Sequence, residues 1–152
     1  MELTPRRPVR ARDALGRPIP LDDPRAVEPV SEDPQPPEPT LQAAQALLDA
    51  GRAFSAHEVL EARWKSCPPD EREFWQGLAQ LCVGVTHAQR GNRIGAERLL
   101  RRGASRLARY VGPTYGVQPA ELVAWAEAGA AAPDPDTLHL RLRHRGPAHE
   151  SV

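Results

Sequence analysis

From Thr40 onward, apolar side chains recur at steps of three and four residues, broken at intervals by Gly, Pro and capping residues, and this rhythm predicts helices. Thr40 stands as a cap for TLQAAQALLDA, which Gly51 ends, and Ser55 with Glu58 three residues on reads as a capping box opening SAHEVLEARWK. Pro68-Pro69-Asp70 stops that helix and starts a third, DEREFWQGLAQLCVGVTHAQR. Gly91 closes the third helix and Asn92 caps a fourth, NRIGAERLLRRGASRLARYV. Gln118 followed by Pro119 at a first helical position predicts a fifth helix to about Ala128, with Gly129 as its end. The third helix is apolar nearly all round, so the others are expected to surround it. The fold class is therefore all-α: about five helices in two hairpins around a central third helix, with extended arms at both ends.

The arms follow from a change of pattern. Ten of the 17 prolines precede Thr40, and Pro removes amide donors and biases its neighbour away from helix. Residues 1–39 thus read as a Pro-rich extended arm, 40–130 as the helical domain and 131–152 as a second extended arm. Within the first arm, Leu15 and Ile19 sit among charges and predict a strap from Arg12 to Pro20 that docks on the helices, with residues 25–39 as a mobile linker. In the second arm, Leu138, Leu140 and Leu142 alternate with His139, Arg141 and Arg143, the period of a strand or an extended segment. Sliding the chain by forty residues sets Gly51 on Gly91, Ala56 on Ala96 and Leu60 on Leu100. Helical hairpins stacked in this way have packing like that of tetratricopeptide repeats.

Composition narrows the classes. Lys+Arg and Asp+Glu both count 20, so the net charge of +0 supplies no whole-molecule field for nucleic acid or a membrane. No run reaches the length of a membrane span and the start lacks the apolar stretch of a secretory signal, so a cytoplasmic protein is expected. Cys67 and Cys82 form neither a CxxC pair nor part of a Cys/His cluster, which argues against a disulfide scaffold and a thiolate zinc site.

The chemistry gathers on two helices. Wound at about 100 degrees per residue, the second helix places His57 and Glu61 in the middle of an apolar face with Phe54, Leu60 and Trp64, and Glu58 at its edge. Charges on such a face must be paired, coordinate something or open onto a wet pocket. On the third helix Glu73, Gln76, Gln80 and His87 form one polar stripe; facing His57 and Glu61, it would complete either a self-satisfied network or a groove. On the fourth, Arg98, Arg101, Arg102, Arg106 and Arg109 make a basic stripe, either a solvated face or a surface for an acidic partner. No aromatics interleave with these arginines, so nucleic acid is disfavoured.

Three blocks in order carry a resemblance: Phe54-Ser-Ala-His57-Glu58-Val-Leu-Glu61-Ala-Arg-Trp64, then Phe74-Trp-Gln76-Gly77, then His87-Ala-Gln-Arg-Gly91-Asn92-Arg-Ile-Gly95-Ala96. Over about residues 41–110 the chain resembles the domain of unknown function 309 family, which implies a small all-helical fold and no established activity. Carried over by position, the resemblance marks His57, Glu58, Glu61, Trp64, Gln76, Gly77, His87, Gly91, Asn92 and Gly95.

The expected function is a binding or scaffold module whose polar groove, from His57, Glu58, Glu61, Trp64, Gln76, His87 and Asn92, takes a peptide or small ligand without a cofactor. The alternative is a metal-dependent hydrolase. There His57, Glu61 and His87 would hold one divalent ion and Glu58 would act as base, although HExxE carries only half of the zincin HExxH signature. A basic-face adaptor for an acidic protein or nucleic acid comes third.

Overall fold

The computed structural model describes residues 10–143; the outer parts of both expected arms, 1–9 and 144–152, lie outside the described residues. Five helices carry the fold: α1 (Pro37–Asp49), α2 (Ala53–Trp64), α3 (Arg72–Gln89), α4 (Arg93–Leu107) and α5 (Pro119–Ala131). A 3-10 turn, Pro69–Glu71, leads into α3. The all-α class holds, with one addition in the arm: β1 (Arg10–Arg12) and β2 (Pro18–Pro20) pair antiparallel, Ala11 opposite Ile19.

α3 is the central element, flanked by α2 and α4, and Phe74, Trp75, Leu78, Leu81 and Cys82 on it are fully buried. Burial pushes the Cys82 thiol pKa up, as expected of a packed, unreactive cysteine. The α3/α4 contact is close because small residues line it. A Cβ on Gly77 would meet Leu107 and the Gly103 carbonyl, and one on Gly84 would meet Leu100. The two hairpins turn alike. Gly51 and Gly91 have φ of 77° and 79°, and at each the next amide bonds a carbonyl five residues back, Arg52 to Leu47 and Asn92 to His87, both at 2.8 Å.

Helix boundaries depart from the sequence reading where a local signal meets a different environment. Thr40 is not the cap of α1, which begins at Pro37; its hydroxyl donates to the Pro36 carbonyl at 2.7 Å. Ser55 and Glu58 form no capping box, because α2 already starts at Ala53; Ser55 is buried, and its hydroxyl accepts from Arg52 Nη2 at 2.9 Å. Asn92 does cap α4, its Oδ1 accepting from the Gly95 amide at 2.9 Å. α4 ends at Leu107 rather than near Val111, and Tyr110, freed from the helix, turns to the start of α3. Its hydroxyl accepts from the Phe74 amide and donates to the Asp70 carbonyl, both at 2.9 Å. Gly129 does not end α5. It lies inside the helix where Leu138 crosses, and a Cβ there would collide with that leucine.

The described parts of both arms pack on the helices. Leu138, Leu140 and Leu142 are buried while His139 and Arg141 are exposed, so the alternation is that of an extended segment lying on the core rather than of a paired strand. Gln45 of α1 holds it from both sides, donating to the Leu140 carbonyl at 3.1 Å and accepting from the Leu142 amide at 2.8 Å. In the N-terminal arm the strap docks as the hairpin. Ile19 is buried, Arg90 donates to the Leu15 carbonyl at 3.0 Å, and the Arg12 guanidinium sits 4.7 Å from the Phe54 ring centre. The stretch expected to be a free linker is tied at two points: the Val27 amide donates to the Arg12 carbonyl at 3.0 Å, and Arg52 donates to the Glu28 carbonyl at 2.7 Å.

Candidate functional site

α2 is covered on two sides, which explains why its sequence lacks a clean amphipathic pattern. Ala53, Ala56 and Leu60, three and four residues apart, enter the core against α3. The strip Phe54, Glu58, Glu61, Ala62 and Lys65 faces the other way, toward the N-terminal arm, and with it lines a cleft of about 630 Å³. That volume lies in the range of small-ligand and peptide pockets. The far wall is Ala11, Arg12, Asp13 and Leu21 of the strap together with the run from Ala26 to Glu32.

The apolar part of the cleft is Phe54, Ala62, Ala26, Val27 and Val30, and its charged part is mostly acidic: Asp13, Glu28, Glu32, Glu58 and Glu61 against Arg12 and Lys65. Asp13 is already satisfied. Although burial works to raise its pKa, hydrogen bonds from Arg17 and Leu15 outweigh it and hold the carboxyl below its ordinary value. Glu58 differs. It is half-buried, no described residue hydrogen-bonds or ion-pairs with its carboxylate, and burial raises its pKa against the more distant pull of Arg12 and Arg52.

The residues singled out in the sequence fall into three places. Glu58 and Glu61 line the cleft. His57 stands just behind it, its Nε2 4.0 Å from Glu61 Oε1 and its Nδ1 3.2 Å from the Phe54 carbonyl. Burial lowers the His57 pKa despite the nearby Glu61, so the ring is neutral at neutral pH. Trp64 packs on the core, its indole N–H buried without a partner among the described residues, and does not border the cleft. Gln76 is half-buried on α3 and also stands apart from it.

Glu73, Gln80 and His87 of the α3 stripe face α4 and its cap, not His57 and Glu61. Glu73 accepts from Arg106 at 2.7 Å, Gln80 accepts from the same guanidinium at 3.0 Å, and His87 Nδ1 lies 3.1 Å from Asn92 Nδ2. The arginines of α4 draw the stripe to their side, and a Cβ on Gly95 would strike the His87 ring that packs there. Gln76, His87 and Asn92 are thus not brought to the groove expected of them. His57, Glu61 and His87 do not form the considered metal centre either: among the described residues no three His, Cys, Asp or Glu side chains are grouped to hold an ion.

The residues that sequence reasoning missed are those of the far wall, Arg12, Val27, Glu28, Val30 and Glu32. Their one signal is the apolar pair Val27 and Val30 amid prolines and acids, which is weak without the helix it faces.

Among the described residues no helix is long and apolar enough to cross a membrane. No solved structure matches the chain. An uncharacterized protein of Bacillus subtilis (strain 168), YpuF, is 46% identical over 48 residues, which are 31% of this chain and 28% of that protein, so the match spans less than a third of either. Residues 41–99, from α1 into α4 and including Glu58, Glu61, His87 and Asn92, match the family described as Domain of unknown function (DUF309), so the resemblance read from the sequence holds for this helical segment.

Proposed function

We propose that the protein is a binding module whose cleft between α2 and the N-terminal strap receives a cationic segment, an extended peptide with a Lys or Arg beside an apolar side chain. The observation that carries this reading is Glu58: a half-buried carboxyl, its pKa raised by burial, without a hydrogen bond or ion pair among the described residues, at the edge of an open cleft. Partial withdrawal from water without a partner disfavours the charged carboxylate, and a ligand cation offsets that cost. Glu61, Glu28 and Glu32 extend the same sign of charge along the cleft, while Phe54, Val27 and Val30 offer it an apolar floor. The hydrolase reading has no comparable support, since the three ligands it needs are not assembled.

Calorimetric titration with a short Lys- and Leu-containing peptide tests the reading. Glu58→Gln should weaken binding about tenfold and Glu61→Gln less, with α-helical circular dichroism unchanged. Equal affinity of the wild type and the Glu58→Gln/Glu61→Gln protein for that peptide would remove the cleft from consideration.

A further inference from the structure

We infer that a second surface, the exposed strip of α4 formed by Ile94, Arg98, Arg101, Arg102 and Ser105, docks an acidic amphipathic segment of a partner protein. At about 100 degrees per residue these five positions fall within one third of the helix circumference, along roughly 16 Å of its length. They lie opposite the residues that α4 buries, Ala96, Leu100, Gly103 and Leu107.

The basic stripe divides in two. Arg106 and Arg109 are turned to α3, where Glu73 lies 2.7 Å from the first and 3.8 Å from the second. Among the described residues Arg101 has only an exposed pairing with Glu97 at 3.3 Å. Arg98 and Arg102 are exposed and have no anion among the described residues. The same surface carries a large apolar side chain at one end, Ile94, which is 70% exposed. At the other end a hollow of about 310 Å³ opens beside Arg102 and Ser105, with Glu73 on its wall.

Charge complementarity asks for an anionic partner, and the rest of the strip says which kind. Arg98 and Arg102 are one turn apart, about 6 Å along the axis, which matches carboxylates spaced one turn apart on an acidic helix. Ile94 offers an apolar contact that a phosphate backbone does not use. The exposed Glu97 beside Arg101 interrupts the continuous line of positive charge that a phosphate backbone follows but leaves room for a segment of mixed pattern, and the +0 net charge supplies no field to collect nucleic acid. A protein segment with acids at one-turn spacing and a leucine-like residue for Ile94 fits all of these features.

Fluorescence anisotropy tests the surface with a labelled synthetic helix of Leu, Glu and Ala, the same helix with Gln for Glu, and a labelled DNA duplex. The expected result is salt-sensitive binding of the acidic helix, weakened about tenfold in Arg98→Gln/Arg102→Gln and largely kept in Arg98→Lys/Arg102→Lys. Ile94→Ala should weaken it severalfold. No binding of the acidic helix, or equal binding of the Gln helix, overturns the inference. So does a duplex bound more tightly than the acidic helix with no effect of Ile94→Ala, which would make the strip a nucleic-acid surface.

Discussion

Asn92 and His87 lock the start of α4 to the end of α3. The Asn92 side-chain oxygen accepts from the Gly95 amide, so its NH₂ group points at His87 Nδ1, which must then be the accepting nitrogen of a neutral ring. One side chain thus both caps a helix and fixes a histidine tautomer.

A pH dependence follows. Burial, with Arg90 nearby, lowers the His87 pKa from its ordinary 6.5, and burial does the same for His57. A base whose folded pKa is depressed contributes stability that is fully present above pH 6.5 and is lost as pH falls from there toward the folded value. Thermal unfolding followed between about pH 7.5 and 5.5 should show the melting temperature falling on the acid side. Asn92→Ala should cost about 1 kcal/mol at pH 7 through the lost cap. Asn92→Asp should keep the cap and flatten the acid-side loss, because a carboxylate favours protonated His87.

The docked strap rests on Asp13 and Gly16. Asp13 accepts from the Leu15 and Arg17 amides and from Arg17 Nε, and Gly16, at φ 79°, leaves no room for a Cβ beside Phe54. Asp13→Ala should release the hairpin at a cost of about 1–3 kcal/mol, and Gly16→Ala should do so by collision as well as by strain. Limited proteolysis reads this directly: cleavage after Arg12 and Arg17 should be slow in the wild type and fast in both variants. Equal rates in all three proteins would contradict the docked arrangement.

Signals that act within a few residues were readable in the sequence, and those that depend on a distant partner were not. Gly91 and Asn92 announce their turn because positive φ and a side-chain cap are local properties, and the structure has both. Gly129 looks the same on paper, yet the helix runs through it because Leu138, nine residues on, needs the space. Glu73, Gln80 and His87 share a face by periodicity alone. Which helix that face meets is decided by Arg106 and Asn92 on another element. The candidate site divides in the same way. Glu58 and Glu61 are legible as acids on a helix face, but the cleft exists only because Val27, Glu28 and Val30 return across it from an arm whose prolines suggest nothing but extension.

The C-terminal segment offers a test of long-range packing. Gln45 bonds the Leu140 carbonyl and the Leu142 amide with one side chain, and both bonds are between residues far apart in the chain. Gln45→Leu should destabilise by about 1–3 kcal/mol, since it leaves a buried amide and carbonyl without partners. Removing residues from 138 onward should cost more, because three leucines at about 1.5–3 kcal/mol each leave the core. Denaturant unfolding monitored by tryptophan fluorescence measures both changes.

The central claim is that the cleft between α2 and the strap is the site where a cationic segment binds. Amide chemical-shift mapping of the labelled protein, titrated with the Lys- and Leu-containing peptide, tests it most directly. The account predicts saturable shifts concentrated at Val27, Glu28, Val30, Phe54, Glu58 and Glu61, lost in Glu58→Gln, with α5 silent. Shifts confined to other surfaces, or shifts at the cleft that persist unchanged in Glu58→Gln, would contradict it.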